Sequence, residues 1–288
     1  MKQFITTFLI VHFFFIHYIQ VQAQRFALED IKSNPFPSNL TSSANGAQLA
    51  WAVNEQGKRN IYVAQGPDFA PRKLTNYNQD DGQEITSLSI SDNGQWVVYV
   101  RGGDHGSNWD EAIPVNAIFS PVPPKVQIWS VPFLGGEPKA LAEGDEPAIS
   151  PDNNNVAFIK NGQVWVTALD ASSQAINLFT SRGTNNALAW SPDGSQLAFV
   201  SNRGDHALVG VYTNSETAIN WIAPSFSRDR TPRWSPDGKK LVFVRTSGGG
   251  GVPDSVLVRK HQPWAIWTAE VASGKATQLW KAPETLAG

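Results

Sequence analysis

Ser191-Pro192-Asp193-Gly194, followed by the apolar run Leu197-Ala198-Phe199-Val200, is the stretch that decides the fold, because it recurs along the chain. A close copy starts at Ser235. Looser copies, which read SANGAQLAWA, SDNGQWVVYV and SPDNNNVAFI, start at Ser43, Ser91 and Ser150. The copies lie about 40 to 60 residues apart, a period that indicates an architecture built from repeated units.

The Ser-Pro-Asp-Gly stretch has the composition of a tight turn. Proline fixes φ at the first turn position, the aspartate side chain caps the turn, and glycine accepts a positive φ. The apolar run that follows is typical of a mostly buried strand. The repeat therefore predicts a hairpin turn, and neither its serine nor its aspartate needs a catalytic role.

Further short strands surround each turn. An apolar strand such as Ala187–Trp190 precedes it, a strand rich in Trp or Tyr such as Ile128–Val131 follows the apolar run, and a short strand that ends in Leu closes the repeat. Four strands per repeat predict an all-β fold, a β-propeller of about five recognisable four-stranded blades, with the Trp and Tyr side chains packed between blades. Five blades can close a ring; an incomplete ring is the alternative.

Composition limits the function classes. The chain has 288 residues, 41% of them hydrophobic and only 17% charged, with a formal net charge of −2 and 11 Trp. No basic face is implied, so we expect no nucleic-acid partner. The chain has no Cys, which excludes disulfides, thiol catalysis and Cys-ligated zinc.

The first residues predict export. Residues 1–23 combine Lys2, an apolar stretch from about Phe4 to Ile19, and the small residues Val21 and Ala23, as in a cleaved secretory signal peptide. An uncleaved signal anchor is the alternative, since this stretch is long enough to cross a membrane. With cleavage, residues 24–288 form the propeller domain, periplasmic or secreted, with no membrane contact.

Two long segments interrupt the period, residues 101–126 and residues 246–263. Each follows the strand after a Ser-Pro-Asp-Gly-like turn, so both are expected on the same face of the propeller. Long loops in an economical repeat tend to be functional. That face is therefore the better candidate for contacts.

The sequence contains few catalytic signals. Gly-x-Ser-x-Gly does not occur, and His105, His206 and His261 lack metal-ligand spacing. The run Gly248–Gly251 lacks the Lys-Ser/Thr of a phosphate-binding loop. We expect no catalytic residue, no metal and no cofactor.

The acidic turn Asp80-Asp81-Gly82-Gln83-Glu84 is the candidate binding site. Its carboxylates can bind a cation or a substrate amine, although the spacing does not fit an EF-hand. Arg101 and Asp104, at the start of the neighbouring long segment, complete the predicted set. A solvated turn is the alternative.

The Ser-Pro-Asp-Gly repeats resemble the propellers of TolB-like proteins and of the prolyl oligopeptidase family of serine peptidases. Residues 80–91, 98–104 and 263–270 are most similar to exported peptidases of the dipeptidyl and acylaminoacyl type. In that family a propeller of seven or eight blades restricts access to a C-terminal α/β-hydrolase domain that carries Ser, Asp and His. This chain stops at Gly288 before such a domain, so no catalytic residue carries over.

The resemblance implies the non-catalytic, substrate-gating propeller of an exported serine peptidase, with a peptide substrate or the hydrolase domain as its partner. A stand-alone TolB-like scaffold that binds other periplasmic proteins is the alternative. A small propeller enzyme or lectin that uses the acidic turn and a cation is a third.

Overall fold

The computed structural model describes residues 29, 34–44, 46–103, 105, 121–247 and 264–283. The chain folds as two compact units, Met1–Asn34 and Pro35–Gly288. In the first unit the described residues are Glu29 and Asn34, both exposed. The predicted signal peptide 1–23 lies outside the described residues. Among those residues, no helix has the length and apolar character needed to cross a bilayer.

The described strands of the second unit form five four-stranded blades in chain order, each antiparallel within itself. Their strands are β1 (Phe36–Ser42), β2 (Gln48–Glu55), β3 (Lys58–Gln65) and β4 (Arg72–Lys73); β5 (Ile85–Ile90), β6 (Trp96–Arg101), β7 (Gln127–Pro132) and β8 (Lys139–Glu143); β9 (Asp145–Ile149), β10 (Asn155–Lys160), β11 (Gln163–Ala168) and β12 (Ile176–Phe179); β13 (Thr184–Trp190), β14 (Leu197–Asn202), β15 (Ala207–Tyr212) and β16 (Asn220–Trp221); and β17 (Arg228–Trp234), β18 (Lys240–Thr246), β19 (Trp264–Glu270) and β20 (Ala276–Lys281). One parallel pair, Ala207 with Arg228, links the fourth and fifth blades. The predicted all-β propeller is confirmed.

The Ser-Pro-Asp-Gly stretch forms the turn between the first and second strands of its blade. Ser191 is buried, its Oγ donates to Asp193 Oδ1 at 2.6 Å, and the same Oγ accepts the Gln196 N–H at 2.9 Å. Gly194 has φ +71° and its N–H donates to the Ser191 carbonyl. The serine and the aspartate are thus used inside the turn, which accounts for their recurrence without catalysis.

Every blade carries a β-bulge in its first strand. Two residues of that strand oppose one large aromatic of the second strand, and the first of the two has a positive φ of 48° to 53° although it is not glycine. These first bulge residues are Asn39, Ser87, Glu146, Ala187 and Thr231. The opposed aromatics are Trp51, Tyr99, Phe158, Phe199 and Phe243.

Alternation along the second strand builds the interfaces between blades. We call the face that contacts the following blade the leading face and the opposite one the trailing face. Val98 and Val100 lie on the leading face of the second blade. They pack against Val156 and Phe158 on the trailing face of the third blade. Because the side-chain period of a strand is two, each blade presents one face to each neighbour. The same pairing joins the first to the second, the third to the fourth, and the fourth to the fifth blade.

The two terminal blades each have one face that no other described blade covers. Within the part of the chain that the structure describes, extensive strand contacts between blades join consecutive blades only. Val242 on the leading face of the fifth blade is 36% exposed, whereas its repeat equivalents are 0% exposed. Those equivalents are Ala50, Val98, Ala157 and Ala198. Trp51, on the trailing face of the first blade, is only partly buried, while Tyr99 and Phe158 are fully buried.

Candidate functional site

The acidic turn lies directly before β5, where the first strand of the second blade begins. Asp81 shapes the turn, since its carboxylate accepts the Gln83 N–H at 3.0 Å while the Gln83 side chain donates to the Asp81 carbonyl at 2.9 Å. The antiparallel pairing of Ile85 with Arg101 brings the end of β6 to the same edge. The turn and the start of the first long segment are therefore neighbours.

Asp81 and Arg101 form an ion pair in which both side chains are largely buried. The Arg101 guanidinium also lies 4.1 Å from the centre of the Tyr77 ring, a cation–π geometry. The hydroxyls of Tyr77 and Tyr99 are 2.6 Å apart. Burial raises the pKa of Tyr77, and raises that of Tyr99 well above its ordinary value. Both hydroxyls thus remain protonated, and the network fixes Arg101 against the blade.

Glu84 and Asp145 hold His105 between the second and third blades. Glu84 Oε2 accepts the His105 backbone N–H at 2.9 Å and lies 3.2 Å from Nδ1, and His105 Nε2 lies 2.7 Å from Asp145 Oδ2. Partial burial acts to lower the pKa of His105, but the hydrogen bonds and charges of Asp145 and Glu84 outweigh it, so the pKa is raised. When the imidazole is protonated, both ring nitrogens donate to these carboxylates, and the contact joins the two blades.

Asp80 lies apart from this cluster. Its side chain is 63% exposed and 3.9 Å from the Arg59 guanidinium, a weak surface contact. Its carboxylate rests over Gly57, where a Cβ would come within 2.0 Å of it. Asp104 lies outside the described residues. Of the predicted set, the structure thus brings together Asp81, Arg101 and Glu84, and their predicted role in binding stays a prediction.

A polar cleft of about 290 Å³ opens beside the cluster, between the first and second blades. Arg59 supplies a positive charge, Glu84 a negative one, and Thr86 a buried hydroxyl for which the described residues supply no hydrogen-bond partner. The rest of the lining comes from Ser38, Asn39, Ala52, Val53, Asn54, Ile85 and His105. Such a cleft can bind a small polar group through hydrogen bonds and charge.

Two features limit the chemistry of this region. Asp81 already pairs with Arg101 and Glu84 with His105, so an external cation has to displace one of these partners. In the described ranges, no group of three or more His, Asp or Glu side chains is placed to hold a metal ion.

Sequence reasoning missed His105, Asp145 and Arg59. The segment after β6 has no motif, and His105 looks like an ordinary loop histidine. One signal was available, since pairing of β5 with β6 places the first residues after Arg101 near Glu84. No sequence pattern indicated Asp145, because it belongs to the next blade.

Comparisons with known proteins agree with this architecture. The family described as TolB beta propeller domain matches residues 135–254. No curated protein matches the chain. Among solved structures, a putative TolB from Agrobacterium tumefaciens has a TM-score of 0.53 at 20% identity, over 85% of this chain and 81% of that one.

Two peptidase structures have higher TM-scores. A puromycin-hydrolyzing peptidase of Mycobacterium tuberculosis gives 0.60 at 14% identity, over 88% of this chain and 39% of that one. The tricorn protease gives 0.61 at 10% identity, over 86% of this chain and 27% of that one. At these identities the likeness shows the fold alone. This chain spans less than half the length of either peptidase.

Proposed function

We propose that this chain, which carries a TolB-type β-propeller, is the substrate-gating propeller portion of an exported serine peptidase. The observation that carries the proposal is the pair of uncovered terminal faces. Each pair of consecutive blades is joined by the leading face of one blade and the trailing face of the next. The two faces without a neighbouring blade are the leading face of the fifth blade and the trailing face of the first. Exposed apolar faces of this kind are where further blades of a larger propeller pack.

The likeness to two peptidases supports the same role. Under the proposal, hydrolysis proceeds by acyl transfer from a serine of a separate α/β-hydrolase domain. The propeller binds and orients peptides and excludes long polypeptides. Alone, it hydrolyses no peptide.

The acidic turn is the proposed contact for the amino group of a peptide. Since Asp81 and Glu84 are internally paired, binding of an ammonium group exchanges it for Arg101 or His105. Replacing Asp80, Asp81 and Glu84 by their amides is expected to weaken peptide binding measured by calorimetry. Asp170→Asn, at a fully exposed carboxylate of the third blade, is the matched control. Unchanged affinity in the triple variant would reject this role.

A stand-alone scaffold is the second candidate, and the family match over residues 135–254 favours it. The chain also covers 81% of the Agrobacterium protein. In this case the propeller binds other exported proteins, and the two terminal faces have to close on each other. Export itself rests on residues 1–23 and is part of both proposals.

One experiment separates the two functions. The complete reading frame that contains this chain is expressed, and its product is assayed with peptides of increasing length and with a serine-directed inhibitor. The gating proposal expects inhibitor-sensitive hydrolysis that falls steeply once the substrate is too long to pass the propeller. A product without hydrolase activity that is a stable monomer contradicts it and supports the scaffold.

A further inference from the structure

Two of the four interfaces between blades contain a side-chain contact that starts at the first bulge residue. In two interfaces, the first bulge residue reaches the first strand of the next blade: Asn39 Nδ2 donates to the Ile85 carbonyl at 2.8 Å, and Glu146 Oε2 accepts the Ala187 backbone N–H at 2.8 Å. In the fourth blade the equivalent residue is Ala187, whose methyl group is too short to reach the fifth blade. The contact that Glu146 makes in the third–fourth interface therefore has no side-chain counterpart from Ala187 in the fourth–fifth interface.

A cleft of about 300 Å³ lies at that position, between the fourth and fifth blades. Ala187 and Asn186 line one wall, and Arg228, Arg230 and Thr231 line the other. Thr231 has the same place in its bulge as Ala187 has in the preceding one, with φ +48° against +52°. Its backbone N–H is thus the equivalent of the one that Glu146 accepts.

The charge of this cleft is positive. The Arg230 guanidinium has no hydrogen bond or ion pair among the described residues, and Arg228 donates only to the Gly204 carbonyl. Of the described residues that line the cleft, Asp229 alone carries a carboxylate, and it is fully buried and held by Arg245 through bonds of 2.6 and 2.8 Å. Two arginines beside a backbone N–H are the donors that recognise a carboxylate.

We propose that the cleft between the fourth and fifth blades binds a carboxylate from outside the chain, in the way that the third–fourth interface binds the carboxylate of Glu146. The ligand class is a peptide that offers a C-terminal carboxylate or an acidic side chain. Arg228 and Arg230 supply charge, and the Thr231 N–H supplies orientation. This inference concerns binding only and goes beyond the gating function, so either can fail without the other.

The test uses the chain itself and three small probes, measured by titration calorimetry or ligand-detected NMR. N-acetyl-alanyl-alanine carries a C-terminal carboxylate, its amide carries none, and N-acetyl-aspartate amide carries only a side-chain carboxylate. We expect the amide of the first probe to bind at least tenfold more weakly than its acid. The third probe shows which source of carboxylate the cleft prefers. Equal binding of the acid and its amide would overturn the proposal.

Variants at Ala187 and Arg230 test whether the probe binds in this cleft. Ala187→Glu supplies the internal carboxylate that Glu146 provides one interface earlier, and is expected to abolish binding of the acid while the protein stays folded. Ala187→Gln, of equal size without charge, is the matched control for the charge and should weaken binding less than Ala187→Glu does. Arg230→Gln should weaken binding about tenfold. Undiminished binding in folded Ala187→Glu and Arg230→Gln proteins would show that the carboxylate binds elsewhere.

Discussion

Replacing Val98 and Val242 by threonine, one at a time, tests whether the leading face of the fifth blade is uncovered. The two valines occupy the same repeat position, but Val98 is 0% and Val242 36% exposed. Threonine has nearly the shape of valine and the same β-branched preference for strands. The substitution therefore changes little except that one methyl group becomes a hydroxyl.

The expected loss follows from that difference in exposure. Burying a hydroxyl without a hydrogen-bond partner costs about 1–3 kcal/mol in proteins. Val98→Thr should lower the free energy of unfolding by this amount, whereas Val242→Thr should change it by less than about 0.5 kcal/mol, as surface substitutions do. In a chain of this size, each kcal/mol corresponds to a shift of about 2–4 °C in Tm.

The assay is urea unfolding followed by tryptophan fluorescence, with the slope m compared between variants. An unchanged m shows that the change lies in stability and not in the unfolding mechanism. If Val242→Thr costs as much as Val98→Thr, the fifth blade is covered in solution. That result would refute the uncovered face and, with it, the observation on which the gating proposal rests.

Three further predictions follow from the ion pairs and turns. Asp229→Asn should destabilise the protein by about 3–5 kcal/mol in urea unfolding, because it leaves Arg245 buried without its charge partner. Adding Arg245→Met to this variant should recover part of the loss. A loss below about 1 kcal/mol in Asp229→Asn would show that the pair is not buried. Because the pKa of His105 is raised on folding, its contribution to stability is present below the unfolded pKa and is lost as the pH rises through the folded pKa. In His105→Ala, the free energy of unfolding should therefore depend less on pH in that window. A pKa of His105 measured by NMR at or below the ordinary value would contradict this. Gly57→Ala should lower the free energy of unfolding by about 1–2 kcal/mol and displace Asp80, because Gly57 has φ +86° and the new Cβ meets the Asp80 carboxylate. An unchanged urea midpoint of unfolding would contradict this conformation of Gly57.

Much of the fold could be predicted from local sequence. The turn at Ser191–Gly194 and the strand Leu197–Asn202 follow from proline, glycine and apolar side chains that act over a few residues. The predicted strand at residues 128–131 lies within β7. Repetition made these weak local signals strong, because the same pattern appears five times at similar spacing.

The bulges could not be predicted. No shared residue type marks them, since asparagine, serine, glutamate, alanine and threonine all occupy the positive-φ position. What they share is an aromatic side chain opposite them on the neighbouring strand, a pairing that depends on register. The register is visible only once the sheet is formed.

The candidate site divides in the same way. The density of carboxylates at residues 80–84 is a property of the sequence, and their role in binding stays a prediction. Their pairing with Arg101 and with His105 depends on strands and loops that are about 20 residues away along the chain. Because of those pairings, carboxylates that look free in the sequence have partners in the structure, Asp81 with Arg101 and Glu84 with His105.

The sequence by itself determined the repeat, the strand pattern and hence the β-propeller, because turn chemistry and side-chain alternation act between near neighbours. Only the tertiary structure decided which faces remain uncovered, which carboxylates are already paired, and where Ala187 leaves a cleft beside Arg230. These properties depend on contacts between blades, which join residues about 40 or more positions apart. The apolar run is therefore buried on both faces in the three inner blades, whereas Val242 on the leading face of the fifth blade is 36% exposed.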